Sequence, residues 1–388
     1  MTPKIRVLVV DDSVVVRRLV SDVLAEDPAI EVVGTASNGR VALARLHQTP
    51  ADLVTLDIEM PDLDGLRTLA EIRKVQPKLP VIMFSTLTQR AASATIEALT
   101  LGANDYVTKP EGAGNLAAAR DRIKEQLVPK IKALCPRQPT PLARSTGRIP
   151  TIRTGPIPTV RSTTPIPTLR STSQIPVRDL AFNAREPVTA IAIGVSTGGP
   201  LALERLLGAL PKDLPVPVFI VQHMPPVFTT ALAARLARVC PLPVTEVVAP
   251  MRVEPGHVYL ARGDFHMVVE RTPLGVVLRN HQEAPENSCR PAVDVLFRSV
   301  GASYGAGTLA VVLTGMGNDG QRGCEHIRAS GGSVVAQDQS SSVVWGMPGA
   351  VARAGLANAV LPLADIAPEI VQRVQRGSLP RSAAQGGR

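Results

Sequence analysis

Short apolar runs alternate with segments of helical periodicity through the first 127 residues of the chain. Runs typical of buried parallel strands lie at residues 5–10, 31–36, 53–56, 81–84 and 106–107. Segments with apolar residues at helical spacing lie at 14–25, 38–47 and 91–101. A further such segment ends at about residue 75, and the last begins at about residue 115. This strict alternation predicts an α/β fold, a doubly wound parallel sheet of (βα)5 type.

A second series of apolar strands follows residue 187. Its longer runs lie at 188–195, 217–221 and 308–313, and shorter ones lie at 244–247 and 257–260. Helical periodicity follows at 201–207 and 294–300, and residues 265–270 are predicted to pair with 275–278 in a β-hairpin. The pattern predicts a second parallel-sheet α/β domain, Rossmann-like, with a β-hairpin.

A proline-rich stretch separates the two series. The sequences Ile149-Pro150-Thr151, Ile157-Pro158-Thr159 and Ile166-Pro167-Thr168 recur, with an arginine following each in step. Closely spaced prolines remove backbone donors and disfavour helix, so an extended, solvated tether is expected. A second hypothesis stays open, in which the arginines dock on an acidic partner. The predicted organisation is a first domain at 1–134, a linker at 135–186, a second domain at 187–375 and a disordered tail at 376–388.

The positive charge of the chain is concentrated in and beside that linker. The formal net charge is +9, and residues 128–178 contain nine Lys and Arg and no Asp or Glu. That segment also lacks aromatic residues on which bases could stack, so nucleic-acid binding is only a minor alternative. No apolar run approaches the ~20 residues that a membrane-spanning helix needs, so no membrane insertion is expected.

The cysteines indicate a reducing compartment. Cys135, Cys240, Cys289 and Cys324 are irregularly spaced and form no C-x-x-C pair. Such a pattern favours free thiols over a disulfide or zinc framework, and we expect a cytoplasmic protein.

Polar side chains in the first domain follow the carboxyl ends of the predicted strands. Asp11 and Asp12 follow the first strand, Asp57 follows the third, and Ser85 and Lys109 follow the fourth and fifth. Any one of these aspartates could simply cap a helix. Together they should meet at one edge of the sheet, where clustered carboxylates call for a hard cation such as Mg²⁺.

These residues resemble the motifs of response-regulator receiver domains. The matching features are Asp11-Asp12, Asp57 within D-x-x-M-P-x-x-x-G, and Lys109-Pro110. The resemblance implies that Asp57 accepts a phosphoryl group from a histidine kinase. It implies that Asp11, Asp12, Asp57 and the backbone carbonyl of Glu59 hold Mg²⁺. The implied switch residues are Ser85, Tyr106 and Lys109.

The second domain opens on a glycine-bordered serine. Ser196 follows the strand 188–195 within Gly194-Val195-Ser196-Thr197-Gly198, and a helix begins near Pro200. The pattern satisfies G-x-S-x-G, in which small neighbours permit the sharp bend that exposes a nucleophilic serine. For this stretch alone, a phosphate cradle or a plain loop is the more common interpretation and stays open.

Two more polar residues follow strands of this domain. His223 comes after 217–221, and Asp319 follows 308–313 in a glycine-flanked turn. Either residue alone fits a structural role. As a set with Ser196 they can meet at one edge of a parallel sheet and form a nucleophile, a base and an orienting carboxylate. Their chain order differs from that of ordinary α/β-hydrolases, which favours a distinct fold.

The second domain resembles the catalytic domain of the chemotaxis protein-glutamate methylesterase (CheB) family. The matching stretches are Gly194–Gly199, Gln222–Pro225, Arg290–Asp294, Leu313–Gly320 and Trp345–Pro348. The resemblance implies that Ser196 is the nucleophile, His223 the general base and acid, and Asp319 the orienting carboxylate. It also implies that the backbone N–H of Met316 serves the oxyanion hole and that this domain needs no cofactor.

The implied substrates are methyl-accepting chemoreceptors. Hydrolysis of a glutamate γ-methyl ester would release methanol, and some members of the family also deamidate receptor glutamines. Two alternatives stay open. One is a phosphorylation-gated module that binds receptors without turnover, and the other is the same chemistry in a receptor array unrelated to chemotaxis. The sequence leaves open the cognate kinase and the oligomeric state.

Overall fold

The computed structural model describes residues 3–109, 116–136 and 187–376. The predicted linker, apart from residues 135 and 136, lies outside these ranges, as does the tail beyond residue 376. The hypothesis that the linker arginines dock on an acidic partner concerns residues that are not described.

The N-terminal residues form the predicted five-stranded parallel sheet, in the order β2-β1-β3-β4-β5. The strands are β1 (Ile5–Val10), β2 (Ile30–Ala36), β3 (Leu53–Asp57), β4 (Val81–Ser85) and β5 (Asp105–Thr108). The helices are α1 (Val14–Ala25), α2 (Gly39–Gln48), α3 (Gly65–Val75), α4 (Gln89–Thr100) and α5 (Leu116–Leu134). Helix α4 begins earlier than predicted because Thr88 accepts a hydrogen bond from the Ala91 N–H and caps it.

A parallel sheet of seven strands forms the core of the C-terminal domain, in the order β15-β14-β13-β6-β7-β10-β8. Its strands are β6 (Ala190–Val195), β7 (Val218–Gln222), β8 (Val244–Val247), β10 (Val258–Ala261), β13 (Thr308–Val312), β14 (Ser333–Gln337) and β15 (Ala359–Leu361). The predicted hairpin is confirmed as β11 (His266–Thr272) paired antiparallel with β12 (Gly275–His281), and β9 (Met251–Arg252) extends it.

Helices cover the sheet of the C-terminal domain. They are α6 (Gly199–Gly208), α7 (Pro226–Val239), α8 (Val293–Tyr304), α9 (Gln321–Ala329), α10 (Met347–Arg353) and α11 (Leu363–Arg376). Strands β14 and β15 and helices α7, α9, α10 and α11 add to the predicted elements. The architecture of both domains is the predicted parallel-sheet α/β type. No helix within the described ranges combines the length and apolarity needed to cross a bilayer.

The two domains share one apolar cluster. Helix α4 of the N-terminal domain packs on α6 and α7 of the C-terminal domain. Ala92 and Ile96 on α4 belong to the same buried cluster as Phe228 and Leu232 on α7. Burial of this apolar surface holds α4 of the N-terminal domain against α6 and α7 of the C-terminal domain.

Candidate active site

Ser196 lies in the turn between β6 and α6. Its backbone N–H donates to Thr314 O at 3.0 Å. Gly198 has a φ of 78°, and a Cβ at Gly199 would lie 1.9 Å from Gln222 Oε1. The backbone at Gly198 therefore requires glycine, whereas a side chain at Gly199 would displace the Gln222 amide. The Ser196 hydroxyl makes no hydrogen bond to any described residue, so its oxygen is not occupied by a structural role.

His223 is placed beside this turn by the pairing of β6 with β7. Val195 pairs with Gln222, and the His223 N–H donates to Val195 O at 3.3 Å. The imidazole Nε2 lies 2.8 Å from Asp319 Oδ2, and only 13% of the His223 side chain is exposed. The predicted meeting of His223 with Asp319 is thus observed, and Ser196 lies at the end of the neighbouring strand.

The Asp319 carboxylate is surrounded by hydrogen-bond donors. Its Oδ2 accepts from Val293 N at 2.7 Å, and its Oδ1 accepts from Asp294 N at 3.0 Å and from Gly320 N at 2.9 Å. Burial alone would raise the pKa of Asp319, but His223 and these backbone donors hold it below its usual value. Asp319 is therefore ionised in the fold.

The ionised carboxylate favours the protonated form of its neighbour. Burial alone would lower the pKa of His223, but hydrogen bonds to Asp319 and Cys289 outweigh that effect and hold the pKa above its usual value. The Asp319 carboxylate therefore stabilises the imidazolium that forms when His223 accepts a proton.

Two residues of the site were missed by sequence reasoning. Asn287 Nδ2 donates to Asp319 Oδ1 at 2.8 Å and to Asp294 Oδ2 at 2.9 Å. Cys289 Sγ lies 3.6 Å from His223 Nδ1. Cys289 immediately precedes the motif Arg290–Asp294, which was a usable signal, whereas nothing local marks Asn287.

The loop after β13 brings Gly315, the residue before Met316, against the serine turn. A Cβ at Gly315 would lie 2.8 Å from Ser196 Cβ, which shows how closely the two segments approach. Gly315 donates to Val344 O at 3.0 Å and accepts from Gly346 N at 3.0 Å, so it is tied to the following loop. The Met316 N–H donates to no acceptor within the described residues. The Met316 N–H is therefore available to donate a hydrogen bond to a substrate oxygen.

The N-terminal domain covers the serine turn. Thr197 Oγ1 donates to Asp105 Oδ2 at 2.5 Å, and the Tyr106 ring stacks on Phe228 with centroids 4.6 Å apart. A cleft of about 450 Å³ remains between the domains, lined among others by Lys130, His223 and Cys289.

The predicted acidic cluster of the N-terminal domain is formed. Carboxylate oxygens of Asp11, Asp12 and Asp57 lie within 4.8 Å of one another, and Glu59 N donates to Asp57 Oδ1 at 3.4 Å. Such an all-oxygen donor set fits a hard divalent cation. Lys109 Nζ lies 2.9 Å from Asp11 Oδ2 and 2.8 Å from Asp57 Oδ2.

Asp57 is in an environment that disfavours its charge. Burial first and the charge of Asp11 second raise the pKa of Asp57 to about 6, although Lys109 acts in the opposite direction. A cation at this edge of the sheet therefore relieves an existing electrostatic cost.

The two other predicted switch residues occupy different places. Ser85 is buried at the end of β4, and its Oγ accepts from Thr95 Oγ1 at 2.7 Å. Tyr106 is also buried, and its pKa lies well above the usual value because of that burial. It is the aromatic contact with Phe228 that places Tyr106 in the interface between the domains.

Known proteins match the whole arrangement of domains. The family model described as CheB methylesterase matches residues 191–370, and the response regulator receiver domain matches residues 7–121. A relative from Trichodesmium erythraeum (strain IMS101) is 48% identical over 372 residues, which cover 96% of this chain and 99% of the relative. One from Nocardioides sp. (strain ATCC BAA-499 / JS614) is 50% identical over 380 residues, 96% of each chain.

Both relatives are named protein-glutamate methylesterase/protein-glutamine glutaminase. The protein in the crystal structure of the Thermotoga maritima CheB methylesterase catalytic domain is 40% identical in sequence. The match has a TM-score of 0.47 and covers 47% of this chain and 97% of the Thermotoga maritima chain. With its receiver domain, its methylesterase domain and relatives matched over nearly their full length, the chain belongs to the CheB family of protein-glutamate methylesterases.

Proposed function

We propose that this protein is a phosphorylation-gated serine esterase that hydrolyses glutamate γ-methyl esters on methyl-accepting chemoreceptors during chemotactic adaptation. The observation that carries the proposal is the hydrogen-bonded pair His223–Asp319 beside Ser196, at 2.8 Å between Nε2 and Oδ2. A serine hydroxyl is a weak nucleophile at neutral pH and needs such a base within reach. The names of the relatives support the same substrate class.

The chemistry follows from the arrangement of the three side chains. Ser196 Oγ attacks the ester carbon while the His223 nitrogen that does not face Asp319, Nδ1, accepts its proton. Asp319 holds the ring and stabilises the imidazolium. The Met316 N–H donates to the oxyanion. His223 then returns the proton to the leaving methoxide, and methanol departs.

Water completes the cycle. His223 accepts a proton from water, the hydroxide attacks the acyl-enzyme, and the glutamate carboxylate leaves as Ser196 regains its proton. The same steps with an amide nitrogen as the leaving group convert a receptor glutamine into glutamate and release ammonia. The proposal includes this second activity.

Phosphorylation is proposed to act through the N-terminal domain. Asp57 accepts the phosphoryl group from a chemotaxis histidine kinase. Asp11, Asp12, Asp57 and the Glu59 carbonyl would hold Mg²⁺, which would supply positive charge against the phosphoryl group. Lys109, which contacts Asp57 in the structure, pairs with the group, and Ser85 and Tyr106 transmit the change to the interface. The protein would act in the cytoplasm, on the helices of receptors.

The test is methanol release from methylated receptor membranes, measured with and without a small-molecule phosphodonor and Mg²⁺. Wild type should release methanol faster with the donor. In Ser196→Ala the rate of methanol release should fall on the order of 10⁶-fold, because the three residues of the triad act as a unit. Ser21→Ala, in which only a hydroxyl on α1 that bonds Arg17 O is lost, is the control and should match wild type.

One alternative predicts the opposite result. A gated module that binds receptors without turnover would release no methanol in any variant, yet would still bind the membranes in a donor-dependent way. Equal rates for wild type and Ser196→Ala would show that another group attacks the ester. Activity on membranes that carry only receptors of other systems would favour a receptor array unrelated to chemotaxis.

A further inference from the structure

We propose that His223 Nδ1 and Cys289 Sγ bind a zinc-type divalent cation, which occupies the nitrogen that accepts the Ser196 proton and so silences the esterase. The binding pair is a feature of the fold itself, while the silencing rests on the proposed function of His223. Sequence reasoning found no metal-ligand spacing in this domain, because the two residues are 66 positions apart and meet only in the fold.

The distance between the two atoms fits coordination of one ion. Sγ and Nδ1 are 3.6 Å apart. With zinc–sulfur and zinc–nitrogen bonds of about 2.3 Å and about 2.0–2.1 Å, two ligands at a tetrahedral angle are separated by about 3.5 Å. The two donor atoms therefore already have the separation of a zinc-ligand pair.

The other side of the imidazole is arranged as in known metal sites. Asp319 Oδ2 lies 2.8 Å from His223 Nε2, which leaves Nδ1 as the nitrogen that can bind a cation. A carboxylate on the far nitrogen of a metal-binding histidine fixes the ring and raises its basicity. The carboxylate of Asp319 is itself occupied by backbone donors. It therefore acts from behind the ring, and water completes the coordination.

The cleft between the domains provides a route for an ion. His223 and Cys289 both line this space of about 450 Å³, together with Lys130, Asp264 and Arg290. The two cationic side chains do not repel an incoming cation strongly, because each is paired. Lys130 lies 2.8 Å from Asp105 and Arg290 lies 2.6 Å from Asp264.

The donor chemistry separates this site from the acidic cluster of the N-terminal domain. Carboxylate oxygens at Asp11, Asp12 and Asp57 suit Mg²⁺. Imidazole nitrogen and thiolate sulfur suit zinc, cobalt and other softer cations, and bind Mg²⁺ poorly. One chain thus carries a site for a hard cation in one domain and a site for a soft cation in the other.

The first experiment detects the metal without using activity. The full chain is titrated with Co²⁺ in saturating Mg²⁺, and the near-ultraviolet charge-transfer band of a cobalt–thiolate bond is recorded. The band should appear in wild type and in Cys135→Ser, whose thiol is also partly exposed and lies in the other domain. It should be lost in Cys289→Ser and weakened in His223→Ala. Absence of the band in wild type, or its persistence in Cys289→Ser, overturns the site.

The second experiment tests silencing by methanol release with the phosphodonor and Mg²⁺ present. Each variant is compared with its own rate before zinc is added. Saturating Zn²⁺ should slow wild type and Cys135→Ser by roughly 100-fold, the order of a general-base contribution. Excess chelator with Mg²⁺ restored should reverse the loss. In Cys289→Ser the Zn²⁺ concentration for half inhibition should rise at least as much as on loss of a residue that only orients a ligand, which is roughly 10- to 100-fold.

The two readouts distinguish the possible failures. A cobalt band that depends on Cys289 supports the site even if Ser196→Ala proves as active as wild type, which would defeat the proposed function alone. Equal zinc inhibition in wild type and Cys289→Ser overturns silencing through this pair. A Cys289-dependent band with no loss of activity also overturns silencing, since the bound ion would then leave the base free.

Discussion

Asn287 links the carboxylates of Asp294 and Asp319. Its amide donates to both, at 2.9 Å and 2.8 Å, and its φ of 53° lies in the left-handed region that asparagine and glycine tolerate best. Burial, and then the charge of Asp319, raise the pKa of Asp294. The amide therefore offsets repulsion between two buried acids and holds Asp319 in line with His223.

We predict that Asn287→Gly lowers kcat roughly 10- to 100-fold with little change in KM, because a hydrogen bond to a charged group contributes about 1.5–3 kcal/mol. Glycine keeps the left-handed backbone and removes only the amide. The kcat of Asn287→Asp should fall further, because this substitution replaces a hydrogen-bond donor with a third carboxylate. Steady-state methanol release checks both, and Asn287→Asp activity equal to wild type would contradict the positioning role.

At the scale of elements, the order β13-β6-β7 sets the site. Parallel pairing aligns the carboxyl ends of these strands. The register Val195↔Gln222 places Ser196 and His223 side by side, each directly after its strand. The 284–292 loop then supplies Asn287 and Cys289 from the far side. That loop is fastened by His266, whose Nδ1 accepts from Ala292 N at 3.2 Å and whose Nε2 donates to Ala284 O at 3.2 Å.

We predict that protonation of His266 loosens the C-terminal domain. Burial first, and nearby His281 and Arg290, lower the pKa of His266 from 6.5, although Ala284 O and Glu286 act in the opposite direction. The unfolded chain then binds more protons than the folded one as pH falls below 6.5. The stabilisation is therefore present above that pH and is lost as the pH falls towards the lowered folded-state value.

The measurement is the urea midpoint at a series of pH values, followed by fluorescence of Trp345. This tryptophan is the single one in the chain and lies in the C-terminal domain. Wild type should lose more stability between neutral and mildly acidic pH than His266→Asn, whose amide oxygen accepts the Ala292 N–H at any pH. Parallel pH profiles for the two proteins would show that His266 does not fasten the loop.

At the scale of the whole molecule, the interface between the domains brings the domain with the acidic cluster against the serine turn. Tyr106 and Asp105 on β5 meet Phe228 and Thr197 beside the serine turn. A 100-fold activation needs a shift of about 2.7 kcal/mol in the docking equilibrium, which one phosphoryl group and its contacts can supply. The domain that carries Asp57 is thus in a position to cover and uncover Ser196.

We predict that Asp105→Ala raises the rate without phosphodonor roughly 10- to 100-fold, because it removes a buried hydrogen bond to Thr197 worth about 1.5–3 kcal/mol. Stimulation by the donor should shrink by the same factor, since the docked state is already weakened. Methanol release with and without donor provides both numbers. Asp121→Ala, at an exposed position of α5, is the control, and an unchanged basal rate in Asp105→Ala would contradict gating through this contact.

Local pattern alone determined much of this protein. Apolar periodicity marked the strands of both sheets near the sites, and polar residues at strand ends marked Asp57, Ser196 and His223. These signals are readable because a buried parallel strand is apolar throughout and its ligand-binding residues come directly after it. Gly198 of the serine turn was likewise visible, since its left-handed backbone and its close contact with Val343 favour glycine.

Only the tertiary structure decided which distant groups touch. The Cys289–His223 and Asn287–Asp319 contacts depend on a loop that returns to the sheet edge, and the Asp105–Thr197 contact depends on two domains meeting. Periodicity reports on the neighbours of a residue within one helix or strand. It contains no information on where an irregular loop lies or which domain faces packs together, because those are set by packing between elements far apart in the chain.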